Sequence, residues 1–211
     1  MRVPVEQRRR ALAEAGLRVI ARDGVAAATT RAVVADAGMS LASFHYAYRS
    51  RDELLREVVR LVVAGEREVA SAVLDASGVE GAGTGPEALA ALVSAGLRAY
   101  LASVDADPGR EQGMLELTFA ALRTPELEGV AAEQYAQYRG LVVDLLTAAA
   151  TATGMRWTRP VDELARTVVA LSDGLTIAAL VEPGTDTGAA GDVIVPALLA
   201  HAIPASERTP A

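Results

Sequence analysis

Hydroxyl residues stand where helices would begin, at Thr29, Ser40 and Ser50, and around them lie Arg31, Gly38, His45, Tyr46 and Arg51. Hydroxyls, a phenol, an imidazole and guanidiniums in one short stretch are the groups that grip phosphates and read base edges. Their spacing dictates how they must be held. Thr29 can cap a helix running through Ala37, Gly38 supplies the turn, and Ser40 can cap a second helix running to about Tyr46. Two short helices joined at a glycine make a helix-turn-helix. Ser50-Arg51-Asp52-Glu53 then reads as a capping box, in which hydroxyl and carboxylate satisfy each other's orphan amides and open a further helix.

The segment from Gly24 to Leu54 resembles the DNA-binding domain of the tetracycline-repressor (TetR) family of bacterial transcription regulators. The likeness rests on Gly24, Thr29 and Thr30, Val33 and Val34, Ala37-Gly38-Met39-Ser40, Ala42, Ser43, Phe44, Tyr48 and Ser50 through Leu54. It departs from the family at Val34, His45 and Arg51, where Ala, Tyr and Lys are usual. The resemblance implies an all-α fold of about nine helices: a helix-turn-helix domain over residues 1–50, and a ligand-binding and dimerisation domain over residues 51–211, joined by a long helix from Arg51. It also implies a homodimer that binds a palindromic double-stranded DNA operator and is released by a small apolar effector. The DNA contacts it implies fall on Thr29, Thr30, Arg31, Ser40, Leu41, Ala42, Ser43, His45, Tyr46 and Arg51. Among these, Ser43, His45 and Tyr46 project from the recognition helix, Leu41 and Ala42 suit thymine methyls, and Thr29 and Arg51 suit phosphates. Phe44 and Tyr48 belong to the core.

Composition excludes other chemistry. Without cysteine there is no disulfide scaffold, thiol nucleophile or thiolate metal site. Every basic residue is arginine, so neither a Walker A lysine nor a lysine Schiff base is possible, and His45 and His201 alone do not make a three-histidine zinc site. No metal, cofactor or enzymatic activity is expected. The alternatives are a helical DNA-binding or adaptor protein without an inducer and, more remotely, a hydrolase or isomerase with a carboxylate pocket. Charge is unevenly spread: residues 1–51 hold nine arginines against four acids, a balance of +5, which leaves −12 of the net −7 on the remainder. A basic head on an acidic body points to a polyanion at one end. Arg8, Arg9 and Arg10 crowd a helix start, where the dipole disfavours cations, so an external anion is expected beside them. They also interrupt any leader-like apolar run, and no uncharged stretch suits a bilayer; a cytoplasmic protein without membrane contact is expected.

Every apolar pattern has helical period. The first helix spans roughly Val5 to Arg22, with Leu12, Ala15, Gly16, Val19 and Ile20 on one face, and the fourth runs from Arg51 to about Leu74. A glycine-rich linker occupies residues 77–86, and further helices start near Pro86, Pro108, Pro125 and Pro160, the sixth covering Arg110 to Arg123 and the seventh Pro125 to Ala152. The tail from Pro204 should fray. The last two helices, Val161 to Val181 and Asp192 to Ile203, are apolar on most of their circumference and so need two partners. One is the core of their own subunit; the other is expected to be a second subunit, an interface the resemblance implies for these helices, with Val168, Leu171, Leu175, Ile194, Leu198 and Leu199 there, the alternative being a fully buried central helix in a monomer. The resemblance places the effector among the body helices, where Tyr100, Met114, Glu116, Leu117, Tyr138 and Asp173 are the candidate ligand-binding residues. Glu116 with Arg139 has the alternative of a structural ion pair.

Overall fold

The computed structural model describes residues 4–76, 83–184 and 188–207. Among them run α1 (Val5–Asp23), α2 (Thr30–Asp36), α3 (Leu41–Ala47), α4 (Arg51–Ala76), α5 (Pro86–Ala106), α6 (Pro108–Ala121), α7 (Val130–Ala152), α8 (Val161–Val181) and α9 (Gly188–Leu199), with single 3-10 turns at Val25–Ala27 and Pro125–Leu127. The fold is all-α, as expected. Most of the expected linker and the last residues of the tail lie outside the described residues.

Local chemistry sets several helix starts. The Thr29 hydroxyl accepts from the Ala32 amide at 3.2 Å, and the Ser40 hydroxyl accepts from the Ser43 amide at the same distance. Gly38 turns the chain between them at φ +63°. Ser50 likewise accepts from the Glu53 amide at 3.2 Å, but the return bond of the capping box lands one residue early: Glu53 Oε2 accepts from the Arg49 amide at 2.8 Å. The other Glu53 oxygen is held by Arg9 at 2.9 Å, which draws the carboxylate away from Ser50. Asp107 caps α6 by accepting from the Arg110 amide at 3.0 Å.

Three expectations change. The helix expected from Pro125 is only a 3-10 turn there, because Gly129 adopts φ +82° and α7 starts after it. The last helix stops at Leu199, three residues after an internal Pro196 that has no amide to donate. The His201 amide bonds back to the Leu198 carbonyl at 3.1 Å, and Ile203 continues in a strand. That strand, β2 (Ala202–Pro204), pairs antiparallel with β1 (Met155–Trp157), so Pro204 is opposite Met155 and not frayed. Strands of three residues are too short for alternation to show in sequence.

The chain packs into two compact units. The first gathers α1 to α3, α4 through Ala64, α6, and the start of α7 through Gln137; the second gathers α4 from Gly65, α5, α7 from Tyr138, α8, α9 and the strand pair. The sequence expectation divides the chain at residue 50, whereas this packing sets α6 among the N-terminal helices. The first core contains Leu12, Val19, Ile20, Val33, Phe44, Tyr48, Leu54 and Leu117. In the second, Leu89, Leu92, Ala149, Ala150 and Met155 form one cluster and Leu146, Leu164 and Leu198 another. Val168 packs on the latter and Leu199 on the former, so three residues expected at a subunit interface, Val168, Leu198 and Leu199, serve their own core. Two helices, α5 and α8, are long and apolar enough to cross a bilayer by length and composition, but Arg98 interrupts the one and Asp173 the other, so neither is the uncharged run whose absence was expected. Within the second unit α5 packs against α8 and α9.

Candidate nucleic-acid interface

Helix α3 has two faces. Phe44 and Ala47 are buried with the following Tyr48, while Leu41, Ala42, His45 and Tyr46 are exposed. Positions 41, 42, 45 and 46 fall on one side at helical spacing. That side offers two apolar groups, an imidazole and a phenol, on a helix short enough at about 10 Å to lie within a major groove about 12 Å wide. Ser43 is half-buried, and its hydroxyl sits 3.1 Å from that of Ser40.

The charge of the first unit is more local than a net count conveys. Arg10 is paired with Glu14 at 2.9 Å, Arg18 and Arg22 both engage Asp36, at 2.8 and 3.2 Å, and Arg9 engages Glu53 at 2.9 Å and Glu57 at 3.3 Å. The Arg22 hydrogen bond, helped by Arg18, holds the Asp36 carboxyl below its ordinary range. The Arg49 amide does the same for Glu53, followed by Arg9. Arg9 and Arg10 therefore find partners inside the protein, and the external anion expected at the start of α1 is not needed for them. Among the described residues of the helix-turn-helix, Arg31 on α2 and Arg49 just past α3 are exposed with no side-chain hydrogen bond or ion pair. Arg49 was missing from the expected contacts. The signal that finds it is subtraction: most of its neighbours have a carboxylate at pairing distance.

Arg51, expected at a phosphate, is also bound within the protein. Its Nε donates to the Ala28 carbonyl at 2.8 Å and its Nη2 to the Val25 carbonyl, so the guanidinium ties the start of α4 to the turn that precedes the Thr29 cap. Carbonyl dipoles thus compensate a cation placed at the positive end of a helix. Arg9 ties the other end of the motif. It donates to the Ala47 carbonyl, lies 4.3 Å from the Tyr48 ring centroid, and its own carbonyl accepts from the Tyr48 hydroxyl at 2.8 Å. Burial pushes the Tyr48 phenol well above its usual range, which keeps that donor protonated.

The six residues expected at a ligand are divided between the units. Met114 and Leu117 are buried in the first unit, and the Glu116 carboxylate comes to 2.8 Å from the point where a Gly24 Cβ would stand. In the second unit the Tyr100 hydroxyl meets the hydroxyl of buried Thr176 at 2.6 Å, and Tyr138 and Asp173 are half-buried. At the expected interface, Leu171 is exposed and Leu175 and Ile194 are half-buried; Ile177, Val181 and Val193 are exposed apolar residues not foreseen there.

A capped helix-turn-helix with an open polar and apolar face, set in a nearly all-helical chain, defines a DNA-binding regulator. The comparisons are specific. Residues 12–58 match the family described as "Bacterial regulatory proteins, tetR family", and residues 89–204 match "BetI-type transcriptional repressor, C-terminal". The chain belongs to the TetR family of transcription regulators and is not an enzyme. It is 26% identical to the HTH-type nicotine-responsive transcriptional repressor HdnoR of Paenarthrobacter nicotinovorans, over 87% of this chain and 89% of that one. Among solved structures it resembles a transcriptional regulator from Pseudomonas aeruginosa PAO1, with TM-score 0.67, 26% identity and 94% and 91% of the two chains covered. It also resembles the multidrug binding protein EbrR in complex with imidazole, with TM-score 0.61, 26% identity and 91% and 89% covered.

Proposed function

We propose that the protein is a cytoplasmic repressor that binds a palindromic operator as a homodimer and releases it when a small apolar molecule occupies the second unit. The observation that carries this reading is the outward face of α3, flanked in sequence by Arg31 and Arg49, while Arg9, Arg10, Arg18 and Arg22 are paired with carboxylates. Leu41 and Ala42 meet thymine methyls, and His45 and Tyr46 hydrogen-bond to base edges. Thr29, Thr30, Arg31 and Arg49 meet phosphates, and Ser40, Ser43 and Arg51 hold the geometry. Arg51 keeps guanidinium donors to spare for a phosphate as well.

The homodimer is supported by the exposed stripe Leu171, Gly174, Ile177, Ala178 and Val181 along α8, with Val193 on α9. Two copies of such a stripe make a self-complementary interface. It sets two α3 helices about 34–36 Å apart, one turn of DNA. For the effector, HdnoR is by name nicotine-responsive and EbrR is seen with imidazole, so small aromatic nitrogen compounds are the first to try. Tyr100, Tyr138 and Asp173 supply its polar contacts, while Met114, Leu117 and Glu116 belong to the packing of α6 in the first unit. Binding tilts α4 and shifts operator affinity by about 1–3 kcal/mol.

Footprinting on the DNA flanking its own coding sequence tests the reading. Two protected half-sites related by symmetry are expected, with affinity that falls steeply as salt rises. No protected site, together with salt-independent retention, rejects it.

A further inference from the structure

We propose that Arg8 is a positioning residue for base readout: its guanidinium, stacked on Tyr46, fixes the orientation in which α3 presents that phenol to DNA. The inference rests on the reading of α3 given above. Arg8 Cζ lies 5.0 Å from the Tyr46 ring centroid, within the range of a cation–π contact. Tyr46 is 56% exposed, more than Leu41 at 40% or the fully buried Phe44. It stands one residue from the end of a seven-residue helix, with no further helical turn to wedge its ring. Left alone, such a side chain samples several rotamers, and a reader that must be ordered on binding loses affinity and discrimination.

The neighbouring residue explains why Arg8 is itself held in place. Arg9 bonds to the Ala47 carbonyl and lies over Tyr48, and Tyr48 bonds back to the Arg9 carbonyl. Two successive residues of α1 therefore straddle the last turn of α3, Arg9 on the buried aromatic and Arg8 on the exposed one. Arg9 is consumed by Glu53 and Glu57 and is structural. Arg8 is half-buried beside the exposed Tyr46. A planar guanidinium matches a ring face in a way an ammonium does not.

The test uses full-length protein and a randomised DNA duplex pool, from which preferred sites are selected, followed by affinities for every single-base variant of the best site. Arg8→Ala should flatten preference at the same base positions as Tyr46→Ala, by about two- to five-fold. The double variant should be no flatter than Tyr46→Ala alone, and Arg8→Lys should fall between wild type and Arg8→Ala. A uniform loss of affinity over all sequences with a shallower salt slope would make Arg8 a phosphate contact and overturn the proposal. So would an Arg8→Ala effect that persists in the Tyr46→Ala background, or an Arg8→Ala protein that does not fold, which would join Arg8 to the Arg9 clamp. If Tyr46→Ala leaves every preference intact, the DNA-facing role of Tyr46 fails and the proposal with it; if only Arg8→Ala is without effect, the proposal fails alone.

Discussion

Gly113 of α6 lies so close to Ile20 of α1 that a Cβ on the glycine would stand 2.4 Å from Ile20 Cγ2. One turn earlier, a Cβ on Gly109 would stand 2.7 Å from the Ala21 carbonyl oxygen. Both glycines are sites of close approach. Glu116 completes the seat at Gly24, where φ is +84°. The helix that follows α5 in the chain is thus fitted to the helix that carries Arg8 and Arg9.

Replacing Gly113 by alanine should destabilise the protein by about 1–3 kcal/mol, because Ile20 is buried and β-branched and has no room to yield. Gly109→Ala should cost at least as much, since its neighbour is backbone. Denaturant midpoints are the readout; unchanged midpoints would mean that α6 lifts off α1 freely.

Arg9→Ala should cost about 1–3 kcal/mol, since it leaves the Ala47 carbonyl without its donor and Glu53 beside Glu57 without their shared cation. Tyr48→Phe removes only the bond to the Arg9 carbonyl and should cost about 0.5–1.5 kcal/mol. Thermal melts that rank the two variants in the opposite order would contradict the clamp.

Acid should weaken the first unit through Asp36 and Glu53. Both are held below the usual carboxylate range, so the unfolded chain takes up protons first as pH falls. Their contribution is complete above the unfolded value of about 4 and disappears as pH drops through the folded ones. Glu111 opposes them. Burial raises its value, so the folded state gains the proton first and its contribution improves as pH falls through that raised value. Glu53→Gln should flatten the acid limb of a stability-against-pH curve, and Glu111→Gln should steepen it. Equal slopes in all three proteins would remove these assignments.

Arg51→Ala should lower thermal stability as well as affinity for all DNA sequences, because the guanidinium holds the Val25 and Ala28 carbonyls. Arg51→Lys keeps the charge but not the fork and should recover affinity better than stability. If Arg51→Ala melts like wild type and only reduces the magnitude of the salt slope by about one, its role is the phosphate alone.

Leu171→Glu should yield monomers in sedimentation with little change in monomer folding, since Leu171 is exposed. Leu198→Ala should instead cost about 2–5 kcal/mol from the core. A Leu171→Glu dimer would move the interface off this stripe.

The parts legible in the sequence were those decided within a few residues. Thr29, Ser40 and Ser50 cap helices wherever the rest of the chain goes, so the motif and its turn at Gly38 were placed closely. Gly129 is equally visible, yet Pro125 looks like a helix start because a proline fits both a first helical turn and a 3-10 turn. Non-local partners were not legible. Nothing near Arg51 in sequence points to Val25, and nothing near Arg9 points to Ala47. In α8, apolar residues occupy most of the circumference, so periodicity alone did not tell that Val168 faces inward while Leu171 and Val181 face out. Arg49 was hidden by net charge, which counts cations without asking which are already paired.

The fit of α6 to α1 bears on how such regulators are recombined. A graft that exchanges only the first fifty residues between relatives would bring a foreign side chain to the place of Ile20 against an α6 whose glycines are shaped for this one. The transplantable reader is therefore a discontinuous module, in which the stretch from Asp107 to Gln137 must travel with the N-terminal helices.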